Sequence, residues 1–154
     1  LSVRKLNHLV AEGLDFDQVV DGITAYQAKT KLLFVLAKVD NLVKNGRLSK
    51  LVGTVVGLLN IRMVGEASNT GTLELLQKAR GQKKAIKAAF DELLKAGYAG
   101  GHITIAHRNN EKFIEQFSEL VREKFAQASI EVLPTSGLCS FYAEEGGLLM
   151  GYEI

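Results

Sequence analysis

An apolar run between residues 48 and 64 constrains the fold more than any other part of the sequence. A helix built from this run is hydrophobic on nearly every side, and such a helix is normally buried in the protein interior. The run is closely flanked by Arg47, Lys50 and Arg62 and is shorter than the roughly 20 apolar residues that span a bilayer. It therefore predicts a buried helix over residues 50–60, capped by Ser49, and no transmembrane segment.

Gly53 and Gly57 lie four residues apart, so on a helix they share one face and leave a shallow groove there. Such a groove accommodates either a second helix or the alkyl chain of a ligand, whose burial stabilises a complex by about 0.8 kcal/mol per methylene. The candidate residues for an apolar tunnel along this groove are Leu51, Val52, Gly53, Val55, Val56, Gly57, Leu59, Ile61 and Met63.

Composition excludes several classes of protein. A net charge of +2 without a basic run disfavours nucleic acid as a partner. The single cysteine, Cys139, excludes an internal disulfide, and we interpret it as a packed thiol of a cytoplasmic protein. The 154 residues suffice for one domain with a real core. Because residue 1 falls within a predicted helix, we expect the chain to belong to a longer protein.

Hydrophobic periodicity predicts alternating helices and strands. Helices are expected over residues 1–12, after Asp15, over residues 41–44 with Asp40 as cap, over residues 82–96, and after Asn109 or Asn110. Strands are expected over residues 32–39, 61–67, 72–80, 102–107, 130–133 and 148–154, and an irregular loop over residues 135–147. This order predicts an α/β (α+β) domain with a mixed, largely antiparallel sheet packed with helices.

Several segments in order resemble the C-terminal half of the DegV family. They read LLFVLAKVDNLVKNGRLSK, GLLNI, QKARGQKKAIKAAFDEL and ITIAHRNNE, and the similarity extends over residues 25–152. The resemblance implies that residues 25–154 are a lipid-binding domain and that residues 1–24 are helices linking it to a missing N-terminal domain. It also implies that a long-chain fatty acid occupies the tunnel, that a fatty acid kinase subunit is a possible partner, and that no cofactor or metal is needed.

Arg47 is the main candidate for binding the ligand head group. It follows the helix-ending Gly46, and either it is a solvated turn residue or its guanidinium binds a carboxylate or acyl phosphate. The resemblance places this arginine in the head-group network. Where the family has a histidine, the loop over residues 135–147 has none, and Ser140 and Tyr142 are the nearest hydrogen-bond donors. Met63 replaces a proline of the family pattern.

A local basic cluster, Lys78, Arg80, Lys83 and Lys84, is either a solvated surface or a site for a partner or an anionic membrane. His102 and His107 are five residues apart on one strand, which puts them on opposite faces and excludes a shared metal ion. Two other functions stay open: a scaffold or oligomerisation domain without a ligand, and a phosphotransfer enzyme. The absence of a nucleotide-binding loop and of clustered carboxylates disfavours the enzyme.

Overall fold

The structure is a computed structural model, and it describes residues 1–48 and 60–154. These residues form six helices and six strands. The helices are α1 (Ser2–Ala11), α2 (Phe16–Ala28), α3 (Asp40–Lys44), α4 (Gln82–Lys95), α5 (Glu111–Lys124) and α6 (Gly137–Ala143). The strands are β1 (Thr30–Leu36), β2 (Ile61–Ala67), β3 (Leu73–Arg80), β4 (His102–His107), β5 (Ser129–Pro134) and β6 (Leu148–Glu153). Among the described helices, none has the length and apolar character needed to cross a membrane.

All six strands form one sheet in the order β3–β2–β1–β6–β4–β5. Neighbouring strands are antiparallel except β4 and β5, which are parallel and are connected through α5. A parallel pair needs such a crossover, whereas antiparallel strands can follow each other through short turns. The mixed, largely antiparallel sheet predicted from the sequence is confirmed.

The covered face of the sheet is the one on which α4 and α5 pack. Leu33 and Val35 of β1 project from this face and are at most 1% exposed, because alternate residues of a strand point the same way. The buried side chains of the two helices recur at three- and four-residue spacing, as an amphipathic helix requires. They include Ala85, Ile86, Ala89 and Leu93 of α4, and Phe113, Ile114, Phe117 and Val121 of α5. Together with the strand residues they form the main hydrophobic core.

The opposite side, which we call the open face, has only a small core of its own. Phe34, Leu36 and Met63 form it with Val39 and Leu42. The short helices α3 and α6 cover one end of this face, and Leu1 at the start of α1 approaches Gly151 of β6. Between these elements the face is left partly uncovered, and cavities lie against it.

The first two helices pack on each other at the edge of the domain. Asp15 caps α2 in a reciprocal capping box with Gln18, with hydrogen bonds of 2.9 and 3.0 Å, as the sequence predicts. The side chain of Leu9 in α1 is buried against Gly22 of α2. Arg4 ties α1 to the sheet through an ion pair with Glu131 of β5.

One element differs from the prediction. The loop expected over residues 135–147 contains the helix α6, which is only seven residues long and begins with Gly137. A helix of this length is marginal by itself, and contacts from distant residues stabilise it. Asn41 donates a 2.8 Å hydrogen bond to the carbonyl of Phe141, and Arg108 donates one of 3.0 Å to that of Ser140. These contacts are invisible in the local sequence pattern.

Two predicted caps are also wrong in detail. Asp40 is the first residue of α3, and Val39 occupies the cap position without a side-chain hydrogen bond. Asn110 does precede α5, but its side chain donates to the carbonyl of Gly146 at 2.7 Å instead of capping the helix. The helix predicted over residues 50–60 falls, apart from residue 60, outside the described residues.

Candidate functional site

Arg47 lies directly after α3, in a turn fixed by the backbone. Gly46 adopts a φ of +69°, a conformation that glycine tolerates best. The amide of Arg47 then donates a 2.8 Å hydrogen bond to the carbonyl of Leu42. The side chain of Arg47 takes no part in these contacts, so the turn leaves the guanidinium available for another role.

Tyr142 of α6 lies beneath this guanidinium. The central carbon of the Arg47 guanidinium is 4.8 Å from the centroid of the Tyr142 ring, a cation–π distance. Such a contact is worth about 0.5–1 kcal/mol at an exposed position. It orients the arginine without neutralising its charge, so the cation can still pair with an anion.

An apolar cavity of about 200 Å³, the Arg47 cavity, opens between α3, α6 and the open face. Its lining residues are mostly hydrophobic: Phe34, Leu36, Leu42, Arg47, Gly71, Leu73, Leu138, Cys139, Tyr142, Ala143 and Leu149. Arg47 is the single cation among them. An apolar wall with one cation suits a ligand that combines an alkyl chain with an acidic head group.

The structure separates Ser140 from the other two candidates for the head group. Its hydroxyl donates a 2.8 Å hydrogen bond to the hydroxyl of Thr135, and Ser140 does not line the Arg47 cavity. Arg47 and Tyr142 are brought together by α3 and α6, although 94 positions separate them in the chain. The assignment of all three to a head-group site stays a prediction.

The tunnel residues divide into two groups. Ile61 and Met63 of β2 belong to the small core beneath α3, and Met63 is 2% exposed. They support Phe34 and Leu36, which reach the cavity themselves. The other tunnel candidates lie outside the described residues: Leu51, Val52, Gly53, Val55, Val56, Gly57 and Leu59.

The predicted basic surface is divided between the two faces of the sheet. Lys78 and Arg80 alternate along β3 with Ala79, which is buried in the main core, so they project from the open face. Lys83 and Lys84 lie in the first turn of α4 on the covered face. All four side chains are exposed at one edge of the sheet, but they do not form a single face.

The histidines and the cysteine have simple environments. His107 accepts a hydrogen bond from the amide of Asn110, and His102 contacts Ser129 and Thr104 at 3.0 and 3.1 Å. Among the described residues, no group of three or more metal-binding side chains occurs. Cys139 is exposed at the rim of the Arg47 cavity, so its interpretation as a packed thiol is wrong. The unpredicted helix α6 places it there.

Comparison with known proteins gives a consistent picture. Residues 1–152 match the family model described as an uncharacterised protein family, DegV. A DegV domain-containing protein of Streptococcus pneumoniae is 77% identical over 154 residues, which are all of this chain and 55% of the relative. One of Streptococcus pyogenes is 66% identical over the same residues. The chain thus spans about half the length of the curated relatives it matches.

Two solved structures are also similar to this chain. One is the Streptococcus pneumoniae fatty acid kinase B3 protein loaded with linoleic acid, with 76% identity and a TM-score of 0.96 over 99% of this chain and 54% of that one. The other is a protein of the same family from Eubacterium eligens loaded with heptadecanoic acid. It is 36% identical, with a TM-score of 0.93 over 99% of this chain and 55% of that one.

Proposed function

The chain belongs to the DegV family, and from that premise we propose that it contributes to a binding site for a long-chain fatty acid. In this proposal the carboxylate pairs with Arg47 and the first part of the alkyl chain enters the Arg47 cavity. The observation that carries the proposal is the position of one permanent cation at an otherwise apolar cavity.

The two halves of such a ligand are stabilised by different forces. Burial of the alkyl chain contributes about 0.8 kcal/mol per methylene and needs no polar group. The carboxylate gains a charge-assisted hydrogen bond from the guanidinium, which is about twice as strong as a bond between neutral groups. Tyr142 restricts the guanidinium from one side and lowers the entropy lost when the carboxylate binds.

The Arg47 cavity accounts for only part of a ligand site. Its volume of about 200 Å³ is below the range of about 300–1,000 Å³ that is usual for small-molecule pockets. We propose that the rest of the chain is contacted by the apolar residues between positions 49 and 59 and by the remainder of the full-length protein. Residues 25–154 then form the lipid-binding domain, and residues 1–24 connect it to the N-terminal domain.

The similarity to a fatty acid kinase B protein supports a role as carrier of the acyl group. In this role the protein binds and presents the carboxylate, and a kinase partner carries out the phosphoryl transfer. The exposed Lys78 and Arg80 at the edge of the open face are the part of the basic cluster best placed to contact such a partner. A single cysteine fits this function in the reducing cytoplasm.

The full-length protein provides the direct test. Lipid extracted from the purified protein is identified by mass spectrometry, and the lipid-free protein is then titrated with oleate. We expect a stoichiometric long-chain fatty acid and saturable binding of oleate. Purification without any acyl lipid, together with no binding of oleate, would favour a scaffold domain instead.

A further inference from the structure

A second cavity, the Arg62 cavity, lies where four segments meet. The end of β1, the beginning of β2 and the first residues of α4 and α5 surround a space of about 850 Å³. It shares no lining residue with the Arg47 cavity. The lining residues are Ala37, Lys38, Asp40, Asn60, Arg62, Gln82, Asn109, Asn110, Glu111, Lys112, Glu145 and Gly146.

Arg62 has an unusual environment in this cavity. Its Nε and Nη1 atoms are buried and have no hydrogen-bond acceptor among the described residues, and the same holds for Nε2 of Gln82. Burial also lowers the pKa of the Arg62 guanidinium. A buried cation without a counter-charge is strongly unfavourable, so an anionic partner is expected.

The protein itself supplies no such partner in its described part. Of the three carboxylates that line the cavity, Asp40, Glu111 and Glu145, none lies within salt-bridge distance of Arg62. Glu145 instead accepts a hydrogen bond from Asn109. The segment over residues 49–59 contains no aspartate or glutamate, so it cannot supply a carboxylate either.

The helix beginnings add further donors. Neither α4 nor α5 has a side-chain cap: Gly81 precedes α4, and the Asn110 side chain is engaged by Gly146. The amides in the first turn of a helix lack intrahelical partners and attract anions. Lys38 and Lys112 contribute further positive charge to the lining.

We propose that the Arg62 cavity binds the phosphate group of a small phosphorylated molecule, or free phosphate, with Arg62 as the principal cation and Gln82 as a donor. A phosphate has enough acceptor oxygens for both side chains and for a helix amide, whereas a carboxylate has fewer. The guanidinium lines the cavity, so a rotation of its head presents the buried nitrogens to the ligand. The three carboxylates on the lining disfavour a polyphosphate.

The test uses the full-length protein with inorganic phosphate and with phenyl phosphate, at constant ionic strength kept with chloride. We expect saturable binding by calorimetry and a concentration-dependent rise in melting temperature. Arg62→Met, which keeps the apolar stem, should lower the affinity at least tenfold. Arg80→Met is the matched control, because Arg80 is an exposed arginine on the neighbouring strand, and its affinity should be unchanged.

A second variant covers a failure of Arg62→Met to fold. Gln82→Glu is nearly isosteric, supplies a carboxylate to the same cavity, and should reduce phosphate binding at least tenfold. Tighter binding of phenyl phosphate than of phosphate would assign the site to a monoester, and equal binding would assign it to the free ion. Equal affinity of the wild type and Gln82→Glu, or no saturable binding of either probe, overturns the proposal. Neither outcome affects fatty acid binding, which is measured separately with oleate.

Discussion

The two faces of the sheet are built from the same strands but to different degrees of completion. On the covered face, α4 and α5 close a continuous core in which Phe113 and Phe117 stack at 6.0 Å. On the open face, five buried residues form a small cluster, and two cavities that share Leu149 lie beside it. The covered face therefore accounts for the stability of the described domain, and the open face provides space for a ligand and for other parts of the protein.

The largest expected effect tests the covered face. Phe117→Ala removes a fully buried ring from the centre of the main core and should lower the free energy of unfolding by about 3–5 kcal/mol. Phe141→Ala, at a 43% exposed position on α6, should cost less than about 1 kcal/mol. Hydrogen exchange of α4 and α5 in the full-length protein measures both. Similar costs for the two variants would contradict the distinction between the faces.

A second variant tests the ligand function assigned to the open face. Arg47→Ala should weaken oleate binding by about tenfold to a hundredfold, because a charge-assisted hydrogen bond contributes about 1.5–3 kcal/mol. The turn is maintained by Gly46 and the backbone, so stability should not change. Arg47→Lys should recover only part of the affinity, since an ammonium cannot bind a carboxylate through two nitrogens.

Lys44→Ala is the control for this variant, because it removes a nearby exposed cation that does not line the Arg47 cavity. Its affinity for oleate should equal that of the wild type. If Arg47→Ala bound oleate normally and melted several degrees lower, Arg47 would be a structural turn residue.

A third variant tests how closely the open face is packed where it is covered. Gly65 of β2 lies against the ring of Phe34 and the carbonyl of Glu74, which leave no room for a Cβ atom. Gly65→Ala should therefore destabilise the domain by about 1–3 kcal/mol through overpacking. At Gly151 on the same face, an added Cβ meets only the flexible side chain of Leu1, at 3.1 Å.

Gly151→Ala should thus cost clearly less than Gly65→Ala. Hydrogen exchange in β1 and β2 of the full-length protein compares the two variants. A tolerated Gly65→Ala would show that Phe34 is free to move and that the open face is less closely packed than its small core indicates.

The covered face could be predicted from the sequence because its pattern is local. The apolar residues of α4 and α5 recur at helical spacing, and the strands alternate, so their bounds agree with the prediction to within a few residues. The helix α6 could not be predicted in this way. Its sequence begins with glycine, and hydrogen bonds from Asn41 and Arg108, about 100 and 32 positions away, stabilise it.

The candidate sites follow the same division. Arg47 could be selected from the turn around it and from a family resemblance, whereas the contact with Tyr142 depends on the position of α6. Ser140 was an equally reasonable candidate from the sequence, but its hydroxyl contacts Thr135. The Arg62 cavity had no sequence signal, because it arises where the ends of two strands and two helices meet in three dimensions.

The smallest expected effects concern one tyrosine on each face. Tyr26 donates a 2.6 Å hydrogen bond to Glu153 on the open face, and Tyr152 lies in the main core, where its hydroxyl has no partner among the described residues. Burial, aided in Tyr26 by Glu153, raises the pKa of each phenol to about 12. Each phenol thus retains its proton more firmly in the folded protein than in the unfolded chain.

The sign of the pH dependence follows from this difference. Below pH 10 both states are protonated and stability is unaffected, whereas between about pH 10 and 12 the unfolded chain loses its protons first and stability falls. Tyr26→Phe and Tyr152→Phe should each reduce this alkaline loss. At pH 7 they should differ: Tyr26→Phe loses a hydrogen bond worth about 1 kcal/mol, whereas Tyr152→Phe removes an unpaired hydroxyl and should be neutral or slightly stabilising. Melting curves of the full-length variants between pH 7 and 11 measure both effects, and a destabilised Tyr152→Phe at pH 7 would mean that its hydroxyl has a partner in the complete protein.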